Sequence, residues 1–213
     1  MNVQAQARPS PTSLVEDNAK RRQIVEGARS IFLAQGFDAA SMNDIARAAG
    51  VSKGTLYVYF ANKEQLFEAI VREECLAHAE SVFNLNPADH DVEAVLTRLG
   101  TMYIEFLTTP GKASALRTVI AIADRMPEIG KVFYETGPAW GISRVADYLR
   151  AQSVAGILAV DDCEVAAAQF LESCQATLFK PVLFNFAPAP EKKQIDHVVG
   201  IAVRTLLAAY RVR

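Results

Sequence analysis

Seven residues between Lys53 and Lys63 carry the chemistry that this sequence concentrates in one place. Lys53, Gly54, Thr55, Tyr57, Val58 and Tyr59 follow one another closely, and Lys63 comes four positions later. On a helix, these residues make an outer face that is slim, polar and aromatic, and such a face suits a groove. The hydroxyls of Thr55 and Tyr59 and the ammonium of Lys63 can donate to phosphate oxygens, while Gly54 admits close approach of a backbone. Charge agrees. Seven Lys or Arg stand against three Asp or Glu from Lys20 to Lys63, a local +4, while the whole chain is −2, leaving −6 elsewhere. A basic head on an acidic body is the footprint of a protein that touches nucleic acid with one end.

Other chemistries find less support. His78, His90 and His197 are dispersed, and Glu74 with His78 at i, i+4 lacks the E-x-x-H spacing of di-iron bundles, so neither a metal nor a cofactor is expected. There is no G-x-S-x-G, no phosphate-binding loop and no convincing triad, so the chain is not expected to be an enzyme. Cys75, Cys163 and Cys174 are odd in number with no C-x-x-C pair, which fits a reducing cytoplasm better than a disulfide framework. Cys174 would sense oxidants only if exposed with a lowered pKa, and a buried inert thiol is the expected state. No apolar run reaches the roughly 18 residues of a membrane span, since Glu172, Lys180 and Pro181 interrupt the best candidate.

The elements that must position these groups are helical. Hydrophobic residues make up 51% of the 213, while Gly (11) and Pro (9) are sparse and alanine occurs 34 times, so an all-α chain is expected. Residues 1–17 are polar with two early prolines and are expected to form a flexible arm. Ile24, Ala28, Ile31 and Phe32 recur at i, i+4, i+7, i+8, which predicts a helix over Asp17–Gln35 stopped by Gly36, with Phe37 folding back as a cap contact. Ser41 to Asp44 reads as a capping box opening a short helix that ends at Gly50, and Ser52 is a natural N-cap for the next, ending near Phe60. Asn62 opens a fourth helix to about Val82.

Six further helices are expected at Asp91–Thr108, Lys112–Asp124, Pro127–Glu135, Pro138–Ala155, Asp161–Phe184 and Glu191–Arg211, with Asp161 to Glu164 as another capping box. The chain thus divides into the arm at 1–17, a three-helix DNA-binding domain at 18–78 and a larger helical domain at 84–213, about nine or ten helices in all. The compact run 41–60 has the anatomy of a helix-turn-helix. Ala46 and Ala49 are small at the helix crossing, Gly50 permits the reversal, and Ile45, Val51 and Leu56 fill the angle.

That run, S-M-N-D-I-A-R-A-A-G-V-S-K-G-T-L-Y-V-Y-F followed by Asn62-Lys63-Glu64 and Leu66-Phe67, resembles the DNA-binding domain of the TetR family of bacterial transcriptional repressors. Val58 departs from the histidine many relatives carry, and Met42 from a frequent threonine. The resemblance implies base-edge contacts from Asn43, Lys53, Gly54 and Tyr57, and phosphate contacts from Ser41, Thr55, Tyr59 and Lys63. The C-terminal part is similar to the AefR-like type of effector domain.

A homodimer on double-stranded DNA follows, because one helix-turn-helix contacts few base pairs and two must meet half-sites about 34–36 Å apart in a palindromic operator. The resemblance implies that the last two helices form the interface, with Phe170, Leu171, Leu178, Ile201, Leu206 and Leu207 as the candidate residues. An unidentified small-molecule effector would release the repressor, with Tyr103, Phe106, Arg117, Tyr134, Trp140, Gln169 and Gln175 as pocket candidates, for each of which core packing or a satisfied surface position competes. Arg117, a cation among Leu116, Val119 and Ile120, needs a carboxylate partner or an anionic ligand. The alternatives are a thiol-based redox sensor of the same fold and an all-α enzyme with a fortuitous helix-turn-helix. The Lys20-Arg21-Arg22 cluster divides evenly between solvated surface and DNA-facing charge.

Overall fold

The computed structural model describes the backbone of residues 11–212 and, within them, the side chains of 17–75 and 81–212. Among the described residues the chain forms eleven helices: α1 (Pro11–Ala39), α2 (Met42–Ala48), α3 (Lys53–Tyr59), α4 (Lys63–Val82), α5 (Val92–Thr108), α6 (Lys112–Ala123), α7 (Pro127–Thr136), α8 (Pro138–Val154), α9 (Cys163–Gln175), α10 (Phe179–Leu183) and α11 (Lys192–Tyr210). The extended pairing present is one isolated bridge between Leu158 and Arg211. The chain divides into two compact units between Ile70 and Val71, inside α4 rather than in the gap expected after residue 78. Of the expected arm, residues 1–10 lie outside the described residues, and α1 starts at Pro11 instead of Asp17.

The N-terminal unit is built on apolar stripes that the spacing anticipates. Ile24, Val25, Ala28 and Phe32 of α1 are buried, with Ile45 and Ala46 of α2, Leu56 of α3, and Leu66, Phe67 and Ile70 of α4. Burying each large side chain contributes about 1.5–3 kcal/mol. Gly36 breaks α1 with φ 77 and ψ 171, a conformation that β-carbon-bearing residues avoid. The chain then returns Phe37 to stack on Phe32 at 5.7 Å between ring centroids, and the Phe67 ring meets both at 5.2 Å. Small residues serve α1 against α2. A Cβ on Gly27 would stand 2.6 Å from the Ala49 Cα, so the two backbones touch there. Gln23 Nε2 donates to the Ala49 carbonyl at 2.6 Å, tying the same crossing.

In the C-terminal unit α5, α8, α9 and α11 surround one core of Val95, Leu96, Leu99, Val145, Leu149, Ala167, Phe170, Val199 and Val203. The loop before α5 is held by α8. Tyr148 donates its hydroxyl to the Asp89 carbonyl at 2.8 Å, and the fully buried Gln152 donates to the Pro87 carbonyl at 2.9 Å while its Oε1 pairs with His90 Nδ1 at 2.8 Å.

The helix expected over Asp161–Phe184 is instead two, α9 and α10. In a continuous helix the Pro181 ring would press on the carbonyl of Thr177, four residues back, and would offer it no N–H. The chain resolves this by putting Thr177 at φ 61 and restarting at Phe179, so that Pro181 falls in the first turn of α10. The N-cap of α9 is Asp162, one residue later than the expected Asp161. It accepts from the N–H groups of Glu164 and Val165 at 3.1 and 3.0 Å.

Candidate nucleic-acid interface

The candidate surface is held by caps. Ser41 accepts from the Asp44 N–H at 3.2 Å and donates to the Asp44 carboxylate at 2.5 Å, fixing the start of α2. Gly50, at φ 62, makes the reversal. Ser52 then accepts from the Thr55 N–H at 3.0 Å and starts α3. Asn62 accepts from the Gln65 N–H at 2.9 Å, and Gln65 reaches back to the Ala61 N–H at 3.0 Å, starting α4. With φ/ψ fixed at each end, α3 needs one anchor, and Leu56 is its only buried residue.

Opposite Leu56, the helix presents Lys53, Gly54, Tyr57 and Val58, all exposed. Lys53 lies over the Tyr57 ring, 5.9 Å from its centroid. Asn43 on α2 is exposed as well, and so is Arg47, which pairs with Asp44 at 3.1 Å yet keeps 80% of its side chain in solvent. Arg47 is a donor that sequence reasoning counted only as charge. Its exposed position on the first helix of the pair, where the phosphate backbone crosses, could have marked it.

Three expected phosphate donors stand differently. Thr55 is half-buried with its hydroxyl paired to Ser52 Oγ at 2.8 Å. The Tyr59 hydroxyl bonds to Asp17, and that bond, ahead of burial and the carboxylate's charge, pushes its pKa up. Lys63 donates to the carbonyls of Phe37, Asp38 and Ala40 at 2.9, 3.1 and 3.3 Å and sits 4.7 Å from the Phe37 ring centroid. All three of its N–H donors therefore close the free carbonyl end left by the break in α1.

The expected effector residues are brought together only in part. Tyr103 and Trp140 both meet the Phe83 ring, at 5.8 and 5.9 Å, and Gln175 Nε2 donates to the Tyr103 hydroxyl at 3.1 Å. Burial, then the charge of Glu172 and the Cys174 thiol, pushes the Tyr103 pKa up. Phe106 lies under Lys112, which pairs with Glu74. Tyr134 and Gln169 are exposed and stand apart from that cluster. The Arg117 guanidinium donates to the Leu183 carbonyl at 2.8 Å, at the end of α10, the partner it has among the described residues. A cleft of about 580 Å³ opens elsewhere, lined by Arg150, Ser153, Val154, Asp161, Asp162 and Cys163 among others and by none of the expected residues.

Burial corrects one further expectation and agrees with another. Phe170, Leu171, Leu178, Leu206 and Leu207 are at most 8% exposed within the single chain, so their bulk fills its own core, and of the six interface candidates only Ile201, 44% exposed, faces outward. Cys174 is fully buried with its pKa pushed up to about 12, and burial raises Cys75 and Cys163 too. A thiolate sensor needs the opposite shift, so the redox alternative loses its candidate. Among the described residues, no three His, Cys, Asp or Glu side chains converge as metal ligands, and no helix is long and apolar enough to cross a membrane.

Residues 24–70 match the family model for bacterial regulatory proteins of the tetR family, and residues 94–212 match that of the AefR-like transcriptional repressor C-terminal domain. The chain belongs to the TetR family of DNA-binding transcriptional regulators. It is similar over 92% of its length to a TetR-family regulator from Mesorhizobium loti, with 28% identity, a TM-score of 0.85 and 98% of that chain covered. It is likewise similar to the flavonoid-responsive regulator FrrA, with 30% identity, a TM-score of 0.79, and 92% and 99% of the two chains covered. The transcriptional regulator UidR of Escherichia coli is 34% identical over 100 residues, 45% of this chain and 46% of that protein, so about half the length of this relative is spanned.

Proposed function

We propose that this protein is a homodimeric cytoplasmic repressor that holds a palindromic operator through α3 of each copy and releases it when a small molecule binds the C-terminal unit. The observation that carries the reading is the exposed face of Lys53, Gly54, Tyr57 and Val58 on a helix fixed by Ser52 and rooted by Leu56. A short helix so anchored enters a major groove without rearranging. Asn43, Lys53, Gly54 and Tyr57 then meet base edges, and Arg47 from α2 meets phosphate, while Ser41, like Thr55, reaches phosphate only by turning its hydroxyl from its present partner. Specificity from so few contacts requires two copies, hence the dimer, with Ile201 of α11 on its interface.

Release follows from linkage. The effector must bind the DNA-incompetent form more tightly, because equal affinity for both forms shifts nothing. Tyr103, Trp140 and Gln175 around Phe83 are the candidates for its site that remain grouped.

The test is selection of duplexes from a random pool by the full chain, followed by fluorescence anisotropy across a salt series. Binding to a palindrome, with two chains per duplex and log affinity falling linearly with log salt, is expected. Failure to select any duplex, or binding of one chain per duplex, overturns the proposal.

A further inference from the structure

The exposed face of α3 is chemically divided in a way that its sequence alone does not display. Lys53 and Tyr57, one helical turn apart, form a polar column in which the cation lies over the ring. Gly54 and Val58 form the neighbouring column. Val58 is 82% exposed, the most exposed large apolar side chain among the described residues of the N-terminal unit. A Cβ built on Gly54 would find a single neighbour, Ser52 Oγ at 3.8 Å, so the surface beneath Val58 is open. Helical side chains lean toward the N-terminus, so the Val58 side chain leans to the open Gly54 side of the helix. The flanking hydroxyls are engaged elsewhere, Thr55 with Ser52 and Tyr59 with Asp17.

In the major groove the base edges present donors and acceptors, with one apolar exception, the C5-methyl of thymine. A valine set against any other edge leaves a donor or acceptor without its partner, whereas against a methyl it loses nothing and buries hydrocarbon. We propose that Val58, with the open backbone of Gly54 beneath it, reads the C5-methyl group of one thymine in each operator half-site. The inference rests on the proposed function and adds a base preference to it.

The experiment uses the full chain and the duplex it selects. Each thymine is replaced in turn by deoxyuridine, which removes the methyl and leaves the pairing edge unchanged, and affinity is read by anisotropy at constant salt. At one thymine per half-site the replacement weakens wild-type binding about fourfold per methyl, the equivalent of about 0.8 kcal/mol for one buried CH₂-sized group. Val58→Ala binds the thymine and deoxyuridine duplexes within about twofold of one another at that position, whereas Val58→Ile keeps the discrimination. Because Val58 is exposed, both variants fold, which far-UV circular dichroism checks. A wild-type chain indifferent to every replacement, or a Val58→Ala chain with the wild-type discrimination, overturns the inference while leaving operator binding intact. A wild-type chain that selects no duplex removes the proposed function and this inference together.

Discussion

Lys63 carries one charge and three N–H donors, and all three point at the carbonyls of Phe37, Asp38 and Ala40. Hydrogen bonds from a charged group contribute about 1.5–3 kcal/mol when the partners cannot otherwise be satisfied, and partial exposure places this one at the lower end. Lys63→Met is therefore expected to lower stability by about 1–2 kcal/mol in urea unfolding, while the slope of log affinity against log salt stays at the wild-type value. Arg47→Ala is expected to do the reverse, flattening that slope by about one with stability little changed. Cys174 supplies a pH prediction of the same kind. Its pKa rises from 9.0 to about 12 on burial, so the unfolded chain gives up this proton first. The stability it contributes is complete below pH 9 and is lost as pH rises toward 12. In urea unfolding at pH 8 and pH 11, Cys174→Ala is expected to lose less stability between the two than the wild type does.

Helix boundaries respond to local chemistry, and that is why much of the fold is legible in the chain. Ser41, Ser52 and Asn62 cap helices as their side chains suggest, and Gly36 and Gly50 reverse the chain where only glycine does so without strain. What is not legible depends on residues distant in sequence. Arg117 finds the Leu183 carbonyl 66 positions away, and Lys63 finds carbonyls freed by a break in another helix. The break at Thr177 lies between, since Pro181 announces it but the apolar run around it argues for continuity. The interface residues were misplaced for a related reason: an apolar stripe marks burial without saying whether the chain's own core or a second copy does the burying. At the α1–α2 crossing, Gly27→Ala is expected to destabilise the N-terminal unit by about 1–3 kcal/mol in thermal unfolding. Its methyl would stand 2.6 Å from the Ala49 backbone, and this outweighs the roughly 1 kcal/mol gained in helix propensity.

Across the whole molecule the charge is uneven, +4 between Lys20 and Lys63 and −6 over the remainder, so association with DNA is expected to be steered by one unit. The pairing of copies belongs to this scale. Ile201 faces outward on α11, and a buried carboxylate without a partner is costly, so Ile201→Glu is expected to shift the chain from dimer toward monomer in sedimentation. Its operator affinity should fall accordingly, with helical content unchanged. The attachment of α3 has a consequence for how such a regulator diversifies. Because the helix is moored by Leu56, Ser52, Thr55 and Tyr59, positions 53, 54, 57 and 58 can be exchanged as a cassette without disturbing the fold beneath them. A retargeted repressor is then a matter of four codons, and duplicated copies of this chain could drift to new promoters while keeping the same C-terminal unit.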